Sequence, residues 1–178
     1  MLERPAENEY DPYYGRYISL VPEGMFLDLL GIQTHQTREF FEKLSEETAN
    51  YRYAPDKWSI KEVLGHIMDS ERVFAYRALC IARGEQQSLP GFDQDAYAAA
   101  ANYDSIPVTK IVQQYTALRV STFLLFEQLS AEASNRMGLA NGKQISVRAL
   151  AYIIAGHERH HMNVITEKYG ERAVPLVN

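Results

Sequence analysis

Apolar residues recur along this chain at alternating steps of three and four in four separate stretches, the spacing of helices that bury one face. The first stretch is Leu27, Leu30, Thr34, Thr37, Phe41, Leu44, and the second is Ile60, Leu64, Ile67, Glu71, Phe74, Ala78, Ile81. The third is Val108, Ile111, Tyr115, Leu118, Thr122, Leu125, Leu129, and the fourth is Val147, Leu150, Ile154, His157, His161, Val164, Lys168. No long stretch alternates with period two, so the pattern predicts an all-α bundle without a sheet. Local punctuation agrees. Ser59 followed by Glu62 makes a capping box at the start of the second helix. Pro107 suits the first turn of the third, Ser146 can cap the fourth, and Gly84 and Gly170 are candidate stops. The second and third helices are joined by a long connection, about residues 85–106, in which Asp93 can cap a short helix through Ala101. A connection this long need not join antiparallel neighbours. Three segments are expected: a Tyr- and Pro-rich 1–21 that wraps the surface, a bundle over 22–170 and a tail over 171–178.

Composition adds limits to this picture. A chain of 178 residues, 46% hydrophobic, suits one domain with a sizeable core. A net charge of −5 argues against a general nucleic-acid or membrane-surface binder, which needs a basic footprint. Cys80 is the one cysteine, so no intrachain disulfide forms, and a reducing compartment fits. The Met1-Leu2-Glu3-Arg4-Pro5 start lacks signal-peptide character. No apolar run approaches the roughly 20 residues of a membrane span. The expectation is a cytoplasmic protein acting on a small molecule.

The candidate chemistry lies in the polar residues that interrupt the apolar stripes. His157 and His161 stand where Leu or Ile would be expected, four apart and so one turn from each other on one helix face. Two imidazoles so placed can converge on a metal, the geometric device of H-E-x-x-H zinc sites. The intervening Glu158, Arg159 and His160 do not complete that protease motif, and Glu158 points about 100° away from His157. The alternative is a neutral, hydrogen-bonded histidine pair in the core. His160 lies at the edge of the stripe, as a ligand in another helical register, an outer hydrogen-bonding partner or a solvent-facing side chain. His66, on the flank of the second stripe, is the candidate third ligand, and His35 reads as a surface residue. Glu71 sits inside the second stripe, where a lone carboxylate is costly. It is either a site acid or base or, the favoured reading, one half of a structural pair with an arginine or an aromatic N–H or O–H. Cys80 projects off the stripe with nothing to lower its pKa and reads as inert.

Three segments carry a family likeness. Trp58-Ser59-Ile60-Lys61-Glu62-Val63-Leu64-Gly65-His66-Ile67-Met68-Asp69-Ser70-Glu71-Arg72 resembles the second-helix motif of the DinB-like (DinB/YfiT) superfamily. Ala155-Gly156-His157-Glu158-Arg159-His160-His161 resembles its fourth-helix H-x-x-x-H motif, and Leu89 to Tyr97 is similar to one of its branches. The likeness covers about residues 22–170. It implies an up-down-down-up four-helix bundle, often dimeric, with zinc or nickel held by one histidine of the second helix and two of the fourth: His66, His157 and His161. The better understood relatives transfer low-molecular-weight thiols such as bacillithiol or mycothiol to electrophiles, or use them in isomerisation; others are assigned as metal-dependent hydrolases. Three imidazoles leave an open coordination position for water or a thiolate. All-nitrogen ligation suits zinc or nickel, with copper a third option. The expectation is a metal-dependent thiol S-transferase with the thiol as cosubstrate. The alternatives are a metal-dependent hydrolase, a non-catalytic metal or small-molecule sensor, and a bundle without metal.

Overall fold

The computed structural model describes residues 2–170; the expected tail over 171–178 lies outside the described residues. In chain order the helices are α1 (Gly15–Ile18), α2 (Phe26–Glu42), α3 (Glu46–Ala49), α4 (Ile60–Ala82), α5 (Gln94–Ala101), α6 (Val108–Glu127), α7 (Ala131–Asn135) and α8 (Val147–Val164). The four long ones, α2, α4, α6 and α8, form the bundle.

Cross-helix pairs fix its direction. Gln33 donates to the Ala155 carbonyl and Thr37 to Glu158, so α2 and α8 run parallel. His66 meets His157 near one end of α4, while Arg136, just before the hairpin that leads into α8, reaches the Ala82 carbonyl at the other; α4 and α8 are antiparallel. Ser59 and Lys61, at the start of α4, hydrogen-bond to Asp104, just ahead of α6, and Arg72 approaches Gln114, so α4 and α6 are parallel neighbours. Phe26 packs on Phe126 while Glu46 accepts from the Val108 amide, which makes α2 and α6 antiparallel. The order is therefore up, down, down, up, and the long 83–107 connection carries the chain back to start α6 beside the start of α4.

The helices begin and end as their residues dictate. Ser59 accepts from the Glu62 amide while Glu62 accepts from the Ser59 amide. Ser146 accepts from the Ala149 amide at the start of α8, and Asp93 accepts from Asp95 and Ala96 at the start of α5. Gly84 takes the left-handed position after α4, at φ +94°. Pro107 caps α6 from just outside its first turn.

The stripes hold with local shifts. Every residue of the predicted α4 stripe is buried. On α2 the buried face is Phe26, Leu30, Gln33, Thr37 and Phe41, so Leu27 and Thr34 stand at its flank. On α6, Arg119 and Phe126 are buried, while Leu118, Leu125 and, just past its end, Leu129 are half-buried. Beyond α8 the chain widens into one π turn, Ile165–Tyr169. The changed pitch moves the stripe on by a residue, burying Ile165 and Tyr169 and leaving Lys168 exposed.

The absence of a sheet is corrected. Strands β1 (Met137–Ala140) and β2 (Lys143–Ser146) pair antiparallel across a two-residue Asn141-Gly142 turn in which both residues have positive φ. This is the preferred turn chemistry of a tight hairpin. Each strand has four residues, too short for alternation to stand out. Among the described residues no helix is long and apolar enough to cross a membrane.

A polar layer divides the core. Arg119, 2% exposed, lies between Glu71 (2.8 Å) and Glu158. Glu158 also accepts from Thr37 (2.5 Å) and Tyr115 (2.9 Å). One apolar cluster, around Leu30, Phe74, Phe126 and Ile154, lies to one side; another, around Phe41, Leu64, Ile111 and Ile165, lies to the other. Glu71 is thus half of a structural pair with an arginine.

Candidate metal centre

Two glycines bring the walls of the site close. A Cβ on Gly156 would lie 2.0 Å from the Tyr17 carbonyl oxygen, so only glycine lets the α1 backbone rest on α8 there. A Cβ on Gly65 would lie 2.2 Å from the Tyr103 ring. Each glycine directly precedes a histidine of the site. The approach at Gly156 lays the Tyr17 ring edge-on against His157, with centroids 5.2 Å apart. From the other side Trp58 covers His66 at 4.8 Å and Phe74 approaches His157 at 6.1 Å. The sequence pattern did not reveal Tyr17, Trp58 and Phe74 as walls, because their closeness depends on how three separate elements pack.

Antiparallel α4 and α8 bring His66, His157 and His161 together. The Nε2 atoms of His66 and His161 lie 3.0 and 3.1 Å from Nε2 of His157, and one ring nitrogen from each residue falls within 4.8 Å of the others. His66 and His157 are buried and His161 is half-buried. A neutral imidazole carries one N–H and one lone pair. Nε2 of His157 faces two partners and can serve only one of them well. Burial pushes the His66 pKa down to about 4 and that of His161 to about 3, with their neighbouring imidazoles adding to the effect. His157 is held well below the usual histidine range, first by burial and then by His161 and His66. All three rings are therefore neutral at pH 7 with lone pairs available. Two nitrogens each about 2.0–2.1 Å from a tetrahedral zinc ion stand about 3.3 Å apart, so the donor set fits a divalent ion.

The other sequence candidates fall outside this triad. His160 packs against the Tyr17 ring, half-exposed, at the edge of the site. His35 is exposed beside Glu39. Cys80 is half-buried on α4. Glu158 is spent in the polar layer, with its carboxylate tied to Arg119, Thr37 and Tyr115.

His66 and His157 open into a cavity of about 220 Å³. Its far wall comes from Tyr13 and Tyr14, from the Gly91–Gln94 stretch and from Asn141 in the hairpin turn. Along α4 the lining residues are His66, Ser70, Phe74 and Arg77, a second stripe beside the core stripe. No carboxylate lines this cavity. A second cavity, about 200 Å³, reaches His161 and is lined by Tyr53, Trp58 and Tyr169 and by the carboxylates Asp56 and Asp95.

Comparison with known proteins places this geometry among relatives. The sequence pattern of the DinB superfamily matches residues 29–165. A protein of Oceanobacillus iheyensis, named "Putative metal-dependent hydrolase", is 26% identical over 151 residues, covering 80% of this chain and 86% of its own. The fold is similar to that of YfiT from Bacillus subtilis, described as "a probable metal-dependent hydrolase with an unusual four-helix bundle topology". Its TM-score is 0.70 at 16% identity, over 93% of this chain and 90% of that one. A mycothiol-dependent maleylpyruvate isomerase is similar over 77% of this chain and 58% of its own, with a TM-score of 0.63 at 9% identity. A DinB-like protein of Bacillus subtilis gives a TM-score of 0.54 at 22% identity over 93% and 96%.

Proposed function

The chain belongs to the DinB superfamily, and from that premise we propose that it is a metal-dependent enzyme that transfers a low-molecular-weight thiol to an electrophile. The observation that carries this reading is the convergence of three neutral ring nitrogens, from His66, His157 and His161, two of which, His66 and His157, open into a cavity without a carboxylate. Three nitrogen donors leave a position open, as catalytic zinc sites do. A divalent ion there, zinc or nickel, would make a coordinated thiol or water acidic near neutral pH. The residues do the rest. Tyr17 and Trp58 hold the imidazole rings in orientation, and Phe74 and the Tyr13–Tyr17 segment keep bulk water from the inner cavity. The His66 and His157 side offers no carboxylate base for hydrolysis, since Glu71 and Glu158 both face Arg119 in the core; Asp56 and Asp95 lie on the His161 side. A nucleophile that needs no base beyond the metal, such as a thiolate, suits such a cavity. Hydrolysis is the second reading, supported by the descriptions of the Oceanobacillus and YfiT relatives.

Cobalt substitution tests this proposal. Adding a small thiol to the cobalt-loaded protein should produce a sulfur-to-metal charge-transfer band, because a thiolate is a soft donor among nitrogens. Cys80→Ser should leave that band unchanged. Turnover of a thiol-reactive electrophile should require both the thiol and all three histidines. Ester or amide turnover that is independent of thiol and rises with pH would favour hydrolysis; tight metal binding without turnover would leave a sensor.

We also propose a homodimer. Ile32, Val120 and Leu124 are large apolar side chains exposed on α2 and α6, the pair of helices away from the triad. Sedimentation equilibrium at micromolar concentration should give about twice the chain mass of 20.3 kDa, and a monomer would reject it.

A further inference from the structure

Burying a cation without a counter-charge is expensive. Lys61 pairs with Glu46 at 2.6 Å, and Arg119 lies between Glu71 and Glu158. Arg77 is 3% exposed, and among the described residues no carboxylate lies within ion-pair distance of it. Its Nη2 donates to the Pro90 carbonyl at 2.5 Å, and the Tyr14 hydroxyl also acts on the guanidinium. Its Nε has no partner. One buried N–H of the cation thus goes unmatched, and Arg77 lines the same cavity as His66 and His157.

The surroundings suit an anion. Ser70, 1% exposed and one turn from His66, has a hydroxyl with no partner and also lines the cavity. Gln94 and Asn141 add amide groups at the same wall. The guanidinium lies 5.7 Å from the Phe74 ring, which is itself 6.1 Å from His157, so Arg77 and the triad share one continuous stripe of wall. Side chains on a helix lean toward its N-terminus, which carries the Arg77 head group toward His66 rather than away.

We propose that Arg77 is the specificity residue of this cavity, binding the carboxylate of a small organic anion whose other end reaches the histidine triad. One cation flanked by neutral donors balances a monoanion such as a carboxylate, whereas a dianionic phosphate would leave a buried negative charge uncompensated. This inference deepens the proposed function by naming the substrate class, and it rests on that reading only for what happens at the triad.

The test reads Arg77 directly. In protein with ¹⁵N-labelled arginine, the Nε–H resonance missing from Arg77→Lys identifies this residue. Adding butyrate should shift it in a saturable manner, in metal-free and zinc-loaded protein alike, while the neutral isostere butyramide should not. Arg77→Gln should weaken butyrate binding, followed by calorimetry, by roughly tenfold or more. The metal-free measurement separates failure of the metal reading from failure of this one. A resonance unmoved by butyrate, or moved equally by butyramide, would overturn the proposal. Tighter binding of ethyl phosphate than of butyrate would overturn the carboxylate assignment. Because the main readout uses the unmodified side chain, it holds even where Arg77→Gln disturbs the Pro90 contact.

Discussion

A single hydrogen in place of a methyl decides how close the site's walls can come. Gly156→Ala drives a methyl into the Tyr17 carbonyl. We expect it to cost about 1–3 kcal/mol, the range for overpacking, read as a lower denaturation midpoint. The same change should weaken metal binding, because His157 and its Tyr17 wall move together. At the proposed ligands, His157→Ala or His161→Ala should abolish stoichiometric metal binding and His66→Ala should weaken it strongly, as metal analysis of untagged protein would show. Metal near one per chain in all three variants would refute the assignment. His157 and His161 stood out in the sequence because they broke an apolar stripe, and His66, on the flank of its own stripe, became a candidate only beside them. Arg77 was not: on a single strand of text an arginine beside a core stripe looks solvent-facing, and only the fold shows that the hairpin turn and the Tyr14 segment close over it.

Helix ends and stripes were read from local rules. Ser59, Asp93, Ser146 and Gly84 act where they were expected, because capping depends on residues within a few positions. What spacing missed depends on partners from elsewhere in the chain. Arg119 is buried on α6 because Glu71 on α4 and Glu158 on α8 supply its counter-charges, and Leu118 yields the core position to it. The hairpin had its Asn-Gly signal but too few strand residues to establish a period. The polar layer gives a prediction for elements. Arg119→Met leaves Glu71 and Glu158 buried against each other, and it should destabilise by about 3–5 kcal/mol in chemical denaturation. Glu71, whose pKa burial already pushes up, should then take up a proton near neutral pH. The hairpin prediction is milder. Gly142→Ala, at φ +72°, should cost about 1 kcal/mol without altering metal content.

The whole molecule answers pH through its triad. The unfolded chain binds protons at these histidines below about pH 6.5, whereas His66 and His161 in the folded protein resist protonation down to about 4 and about 3. Between those limits the unfolded state holds more protons, so stability is full above about 6.5 and is lost as pH falls toward 4. Thermal melts of metal-free protein across that window should show this loss, and His66→Phe should flatten the slope. Chelation at pH 7 should lower the melting temperature by mass action and leave the bundle folded, because its core stands without the ion.

The up-down-down-up order also governs how the chain reaches this state. Among the four long helices the close pairs are α4 with α8, α2 with α6 and α4 with α6, while the consecutive helices α2 and α4 are not among them. The first half of the chain therefore contains no main packing pair of its own, and neither does the second. During synthesis the emerging α2 and α4 must wait for α6 before either buries its apolar face, which makes this a fold of late, long-range contacts. Two fragments cut within the exposed 84–88 stretch should each be largely unstructured alone and should regain helical circular dichroism when mixed. A fragment that folded by itself would contradict the pairing described above.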